Sequence, residues 1–158
     1  MDKNQAIINY LITCPQIQNS PLYFNFVHGK EDDKQIITTA NEKSINRPYV
    51  DGSVLKQFTF TIIDFKSVAY RAIVKDGVRV DENVEDLLDV QAIIDWIEEQ
   101  NEARNFPDFG EDCIIDEITT TASNPNLNGI DSNVSPALAK YSISIQVRFL
   151  DTSKMLWK

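Results

Sequence analysis

Histidine is almost missing from this sequence of 158 residues, His28 being the only one. A single imidazole excludes every metal centre built on several histidines and leaves one candidate for a His-dependent nucleophilic triad. Cysteine is scarce too. Cys14 and Cys113 stand far apart with no companion at metal-ligand spacing, so neither a zinc motif nor a CxxC redox pair can be assembled, and reduced thiols of a cytoplasmic protein are the simplest reading. The five glycines are scattered. None builds a GxGxxG or P-loop cradle, and no GxSxG or HExxH sequence occurs, which speaks against a nucleotide enzyme. No run approaches the roughly 18 consecutive apolar residues of a membrane span. Met1–Tyr10 also lacks the basic region, apolar core and cleavage site of a signal peptide, so synthesis in the cytoplasm without a membrane partner is expected.

Positive charge is the last shortage. Fifteen Lys and Arg against 24 Asp and Glu leave a formal net charge of -9 and a pI near 4.5. Such a surface repels phosphate backbones, so direct nucleic-acid binding is a poor expectation. The aromatic residues Tyr23, Phe24, Phe26, Phe58 and Phe60 would need a basic groove beside them to serve as a stacking platform, and are better spent in a core.

What is present suits one domain over residues 1–158, with 42% hydrophobic and 25% charged residues. Ile7, Tyr10, Leu11 and Cys14 recur at helical intervals, predicting an amphipathic helix over Asp2–Thr13 that Pro15 closes before a turn at Gln16–Pro21. Leu22–Val27 and Gln35–Ala40 are β-prone and read as a hairpin with its polar tip at His28–Lys34. Asn46–Ser53 is a turn, and Val54–Phe65 alternates as a half-buried strand whose apolar parity changes at Ile62–Ile63, predicting a bulge or the end of the core face. A bend at Asp76-Gly77 leads to Asp81 as cap of a helix over Glu82–Asn101. Its buried stripe is read as Val84, Leu87, Leu88, Ile94 and Ile97, widened by Ile93 and Trp96, with Arg104 beyond its end. Phe106–Gly110 breaks the pattern, Cys113–Thr121 resumes as a strand, and Ala122–Pro136 reads as a long exposed loop. Tyr141, Ile143, Ile145, Val147 and Phe149 occupy every second position of a last strand with one wet face. This order predicts an α+β fold, an antiparallel or mixed β-sheet packed against two main α-helices, and not a Rossmann-like one.

Candidate chemistry is thin. The acidic pairs at Glu31-Asp32-Asp33, Asp81-Glu82, Glu85-Asp86 and Glu111-Asp112 are explained by solvated helix ends and loops. Asp131 is the one carboxylate in Asn126–Asn133, whose spacing is not that of an EF-hand. His28 has no partner motif and reads as a loop residue. We therefore expect a protein that is not an enzyme, with no catalytic residue, cofactor or metal.

The segments AIINYLITCPQI, SPLYFNF, DGSVLKQFTFTIIDF, DENVEDLLDVQAIIDWIEEQN, FPDFGEDC, NPNLNGID and PALAKYSISIQVRF, in that order and over nearly the whole chain, give it a pattern that resembles the tail terminator proteins, also described as tail completion or minor structural proteins, of tailed phages and prophages of Gram-positive bacteria. The resemblance implies a virion protein of the head-proximal tail end, made in the host cytoplasm. It implies a ring of copies, commonly a hexamer, that stops polymerisation of the tail tube protein and offers a surface to the head connector or completion protein. A contractile tail would add the sheath protein as a partner, and DNA would only pass through the lumen. A head-to-tail ring needs two different patches per subunit. The candidates are Asn126, Leu127, Asn128, Ile130 and Asp131 in the 122–136 loop, Lys30 and Asp32 at the hairpin tip, and Leu156 and Trp157 in the tail 152–158, a tail that could equally fold back on its own core. Two alternatives stand beside this reading: a head-completion or connector protein of the same particle, and a small group-transferring enzyme with His28 as base.

Overall fold

The computed structural model describes residues 2–25, 30–38, 43–67, 72–121, 126–131 and 137–156. Two 14-residue strands, β4 (Val54–Ser67) and β9 (Leu138–Asp151), form its spine and pair antiparallel over their whole length, from Val54↔Asp151 to Ser67↔Leu138. Alternation in both sequences turns Phe58, Phe60 and Ile62 to the same side as Ile143, Ile145, Val147 and Phe149, and all are buried. Each such side chain contributes about 1.5–3 kcal/mol on burial.

Shorter strands occupy the outer edges of this ribbon. β2 (Lys34–Thr38) pairs with residues 60–64 of β4, and β3 (Lys43–Pro48) with residues 54–57. Along β9, β7 (Cys113–Thr120) pairs with residues 145–151 and β8 (Asn126–Asp131) with residues 138–142. With β1 (Leu22–Phe24) added beyond β2, the sheet has seven strands. β5 (Ala72–Lys75) and β6 (Val78–Asp81) form a separate two-stranded ribbon. Asp76 and Gly77 both take positive φ, 53° and 76°, as the favoured two-residue hairpin turn requires.

Three helices supply the other layer: α1 (Lys3–Leu11), the single turn α2 (Pro15–Gln18) and α3 (Glu82–Ala103). Ile7 and Leu11 of α1 join Ile93, Ile94 and Ile97 of α3 in one core with the inward row of the sheet. Tyr10 seals the junction by donating its hydroxyl to the Asn105 carbonyl at 2.9 Å. The fold is thus α+β, a mixed sheet carrying two main helices on one face.

Several local expectations change. Pro15 does more than end α1, since it stands at the first position of α2, where its fixed φ and missing N–H cost nothing. β1 and β2 are parallel, Leu22↔Lys34 to Phe24↔Ile36, so they are not a hairpin. Residues 32 and 33 bond the end of β4 instead, where Asp32 N–H donates to Phe65 O at 2.7 Å and Phe65 N–H to Asp33 O at 3.1 Å. No bulge occurs at Ile62–Ile63, because the β4–β9 register runs through unbroken. The parity change marks burial on both faces, with Ile63, Phe65 and Leu138 forming a second small cluster on the helix-free side. β3 occupies part of the expected 46–53 turn, which narrows to 49–53.

The expected loop 122–136 is also partly strand. β9 extends beyond β7, and β8 satisfies the exposed part of its edge, with a register shift between Leu127 and Ile130. In α3 the stripe is displaced. Val90, Ile93, Ile94 and Ile97 are buried, whereas Val84, Leu87 and Leu88 are exposed. At 100° per residue, the buried line continues toward the N-terminus through Asp86, not through the leucines.

Among the described glycines, Gly52 is the one where a side chain would collide with the neighbouring backbone. It has φ +92°, and a Cβ there would stand 2.1 Å from the Lys154 carbonyl oxygen. The chain after β9 folds back on this turn, with Leu156 N–H donating to Asp51 O at 2.7 Å. Gly52→Ala should therefore lower stability by more than about 1 kcal/mol; urea denaturation that gave an unchanged midpoint would show that the tail does not press on this turn.

Candidate assembly surfaces and a buried ionic cluster

The residues singled out from sequence occupy three separate places. Asn126, Leu127, Asn128, Ile130 and Asp131 all lie on β8, an edge strand, where Leu127 and Ile130 are exposed. Lys30 and Asp32 are exposed in the 30–33 turn. Leu156 is 69% exposed although its backbone is tied to Asp51. Trp157 and His28 lie outside the described residues.

The 30–33 turn is not the solvated tip that its charges suggest. Asp33 and Lys34 are buried. Lys34 Nζ donates to Asp64 Oδ1 at 2.7 Å, with both side chains almost wholly out of solvent. Beside them, Lys66 Nζ donates to Asp32 Oδ1 at 2.9 Å and to Asp89 Oδ2 at 2.6 Å, and stands 3.9 Å from Asp64 Oδ2. One lysine therefore joins β4, the 30–33 turn and α3. The cluster occupies the helix-side face directly beyond Ile36 and Ile62, because Lys34 and Asp64 are register partners in the same rows.

Burial works against the Asp64 carboxylate and raises its pKa, with Lys34 and Lys66 pulling the other way. Asp64 Oδ2 is buried without a hydrogen-bond partner, which fits a carboxylate whose solvation is incompletely replaced. Burial also works against the Lys66 ammonium, but Asp64, Asp89 and Asp32 outweigh it and hold its pKa above the ordinary lysine value. Burial raises the pKa of Asp86 too. Cys14 is fully buried nearby, and burial raises its thiol pKa, so it remains a thiol at neutral pH. The cluster has the make-up of a clamp, with each ammonium already held by carboxylate. Among the described residues no group of His, Cys, Asp and Glu is placed to hold a metal, and no helix is long and apolar enough to cross a membrane.

Two further surfaces were not anticipated. The first is the outward side of α3, where Val84 is 52% and Leu88 63% exposed. The second is an open groove of about 600 Å³ on the helix-free face. Register pairing aligns Leu55, Leu150 and Ile114 across three strands there, and Tyr49, Asp51, Arg104, Asp116 and Arg148 line the rim. The signal for the groove lay in the even-numbered positions of β9. Arg148 and Leu150 follow the small polar Ser142, Ser144 and Gln146, so the wet face turns sticky at one end only. No known family model matches this chain, and no curated protein matches it.

Removing one partner of a buried ion pair strands the other charge, at a cost of about 3–5 kcal/mol. Lys34→Met should lower stability at pH 7 by about that much. The raised pKa of Asp64 gives the sign of the pH effect. Its native form binds a proton more tightly than the unfolded chain, so its contribution is most favourable below the unfolded carboxylate pKa and falls as pH rises through the folded value. The gap between Lys34→Met and wild type should therefore shrink on acidification, as measured by urea unfolding between pH 4 and 8; a constant gap would rule out Asp64 as the stranded group.

Proposed function

We propose that this chain is a structural subunit that assembles with copies of itself into a ring, acting as the tail terminator of a tailed phage or prophage. One observation carries the reading. The helices cover one face of the sheet only, while large apolar side chains stand outside the core at separate places, on α3, on the helix-free face and on β8. Separate apolar patches of this kind are what a head-to-tail ring uses, since its contact needs two different surfaces on each subunit. The sequence resemblance supplies the identity of the ring, the end of the tail tube and the head connector being its two neighbours.

The acidity suits this role. With a net charge of -9 per chain, a lumen lined by such subunits would repel DNA and let it pass without adhering. The small polar Ser142, Ser144 and Gln146 on the helix-free face of β9 offer no basic groove that would hold it.

Deleting the coding sequence from the phage should give headless tails longer than normal, visible by negative-stain electron microscopy. Tails of normal length would refute the terminator role, and filled heads that fail to join normal tails would move the assignment to the head-completion side of the same joint.

A further inference from the structure

The ionic cluster holds more carboxylates than its two ammonium groups serve. Lys34 is occupied by Asp64, and Lys66 by Asp32 and Asp89. Glu31 has only a neutral donor, the Ser67 hydroxyl at 2.8 Å. Asp64 is wholly buried, yet its Oδ2 has no hydrogen-bond partner and stands 3.9 Å from Lys66 Nζ. Asp86, half-buried on the inward line of α3, takes part in none of these bonds. Among the described residues, the charges that face it are Lys66 of β4, Asp32 and Glu31 of the 30–33 turn, and Asp89 of its own helix. Three carboxylates thus stand against one ammonium that two of them already share.

These repulsions act on a joint. The 30–33 turn is bound to the end of β4 by the backbone bonds of Asp32 and Asp33 with Phe65. Asp32 holds a φ of +64°, where a residue other than glycine is uncommon. Lys66 links this turn to α3, since it is bonded to Asp32 and Asp89 at once. An ionised Asp86 opposes the link by pushing Asp32 and Glu31 away from the helix. A neutral Asp86 does not.

We propose that the joint between the first turns of α3 and the 30–33 turn is a proton-operated latch, slack while Asp86 is ionised and closed when Asp86 takes up a proton. Burial, then Asp32, Glu31 and Asp89, raise the pKa of Asp86 against the pull of Lys66. The native chain therefore holds this proton more tightly than the unfolded one. The stabilisation is complete below the unfolded carboxylate pKa of about 4 and is lost as pH rises through the folded value. Val84, Leu87 and Leu88 share these turns, so the latch also sets how firmly α3 presents its exposed apolar residues.

The helix dipole gives the opposite sign for one variant. Near the positive end of a helix a carboxylate is stabilising, so on that ground alone Asp86→Asn weakens the first turns. Hydrogen exchange of the full chain, read at the amides of residues 86–92 and 30–34 and corrected for the intrinsic effect of pH, measures the joint. In wild type, protection should rise by roughly 3-fold or more from pH 7 to pH 5, as several like-charge contacts are removed. Asp86→Asn should show the higher protection already at pH 7 and change little on acidification, whereas Asp86→Glu should keep the pH response. Asp89→Asn, which takes a partner from Lys66, should lower protection at both pH values. A wild-type pH response that persists in Asp86→Asn would overturn the assignment to Asp86. Protection independent of pH in wild type would overturn the latch, as would an Asp86→Asn chain that exchanges faster, or unfolds at lower urea, than wild type at pH 7.

Discussion

The antiparallel ladder between β4 and β9 is the constraint from which the rest of the structure follows. Its 14 consecutive partners run without a break, so the parity of two strands is fixed together. A slip of one residue would turn Phe60, Ile62, Ile145 and Val147 to the helix-free side at once. Because the two strands are so long, no single neighbour matches either of them. Each outer edge is filled by two short strands in succession, β2 and β3 on one side and β7 and β8 on the other. What edge remains is partly covered, as where Asn101 of α3 accepts from the Ile118 N–H of β7 at 2.9 Å.

Along this ribbon the helix-side row changes from Phe60 and Ile62 to Asp64 and Lys66, and α3 answers the change. Its inward line is Ile97, Ile94, Ile93 and Val90 over the apolar part of the sheet, then Asp86, while Asp89 at the margin of that line reaches Lys66. Buried ion pairs recover little net stability after desolvation. What this one settles is the rotation of the helix. Turning α3 to bury Leu87 and Leu88 would take Asp89 away from Lys66, leaving an ammonium only 6% exposed with fewer carboxylates, a cost that two leucines do not offset. The exposed leucines are thus the consequence of the buried charges.

That dependence explains which parts of the fold were legible. β9, β4 and the existence of α3 follow from local periodicity, and the one-sided α+β arrangement follows from their order. The orientation of the first turns of α3 did not, because a rule that counts only apolar residues puts Val84, Leu87 and Leu88 inside, and nothing local says that Lys66, some twenty residues earlier, needs Asp89. The parallel pairing of β1 and β2 was hidden for a similar reason. Two β-prone runs separated by a polar stretch suggest a hairpin, and the hydrogen bonds made in its place run to Phe65, far along the chain. β8 was read as loop from its Asn, Gly and Asp content, and became strand because β9 had an edge left to satisfy. Of the candidate interface residues, Leu127, Ile130, Leu156, Lys30 and Asp32 are exposed, Asp32 being also tied to Lys66.

A chain of net charge -9 resists association with its own copies, since every approach brings like charges together. Assembly then has to come from contacts that bury apolar surface at their centre and set the chain's few cations against its many anions. Arg104 and Arg148 are among only 15 basic residues, and both line the helix-free groove together with Asp51 and Asp116. The apolar ridge of α3 is turned outward by the buried cluster. Lys66, which orients the helix inside the subunit, therefore also decides which face of the helix the subunit presents outside. In the proposed ring, internal electrostatics and assembly are two consequences of one change of residue type along β4, from Ile62 to Asp64.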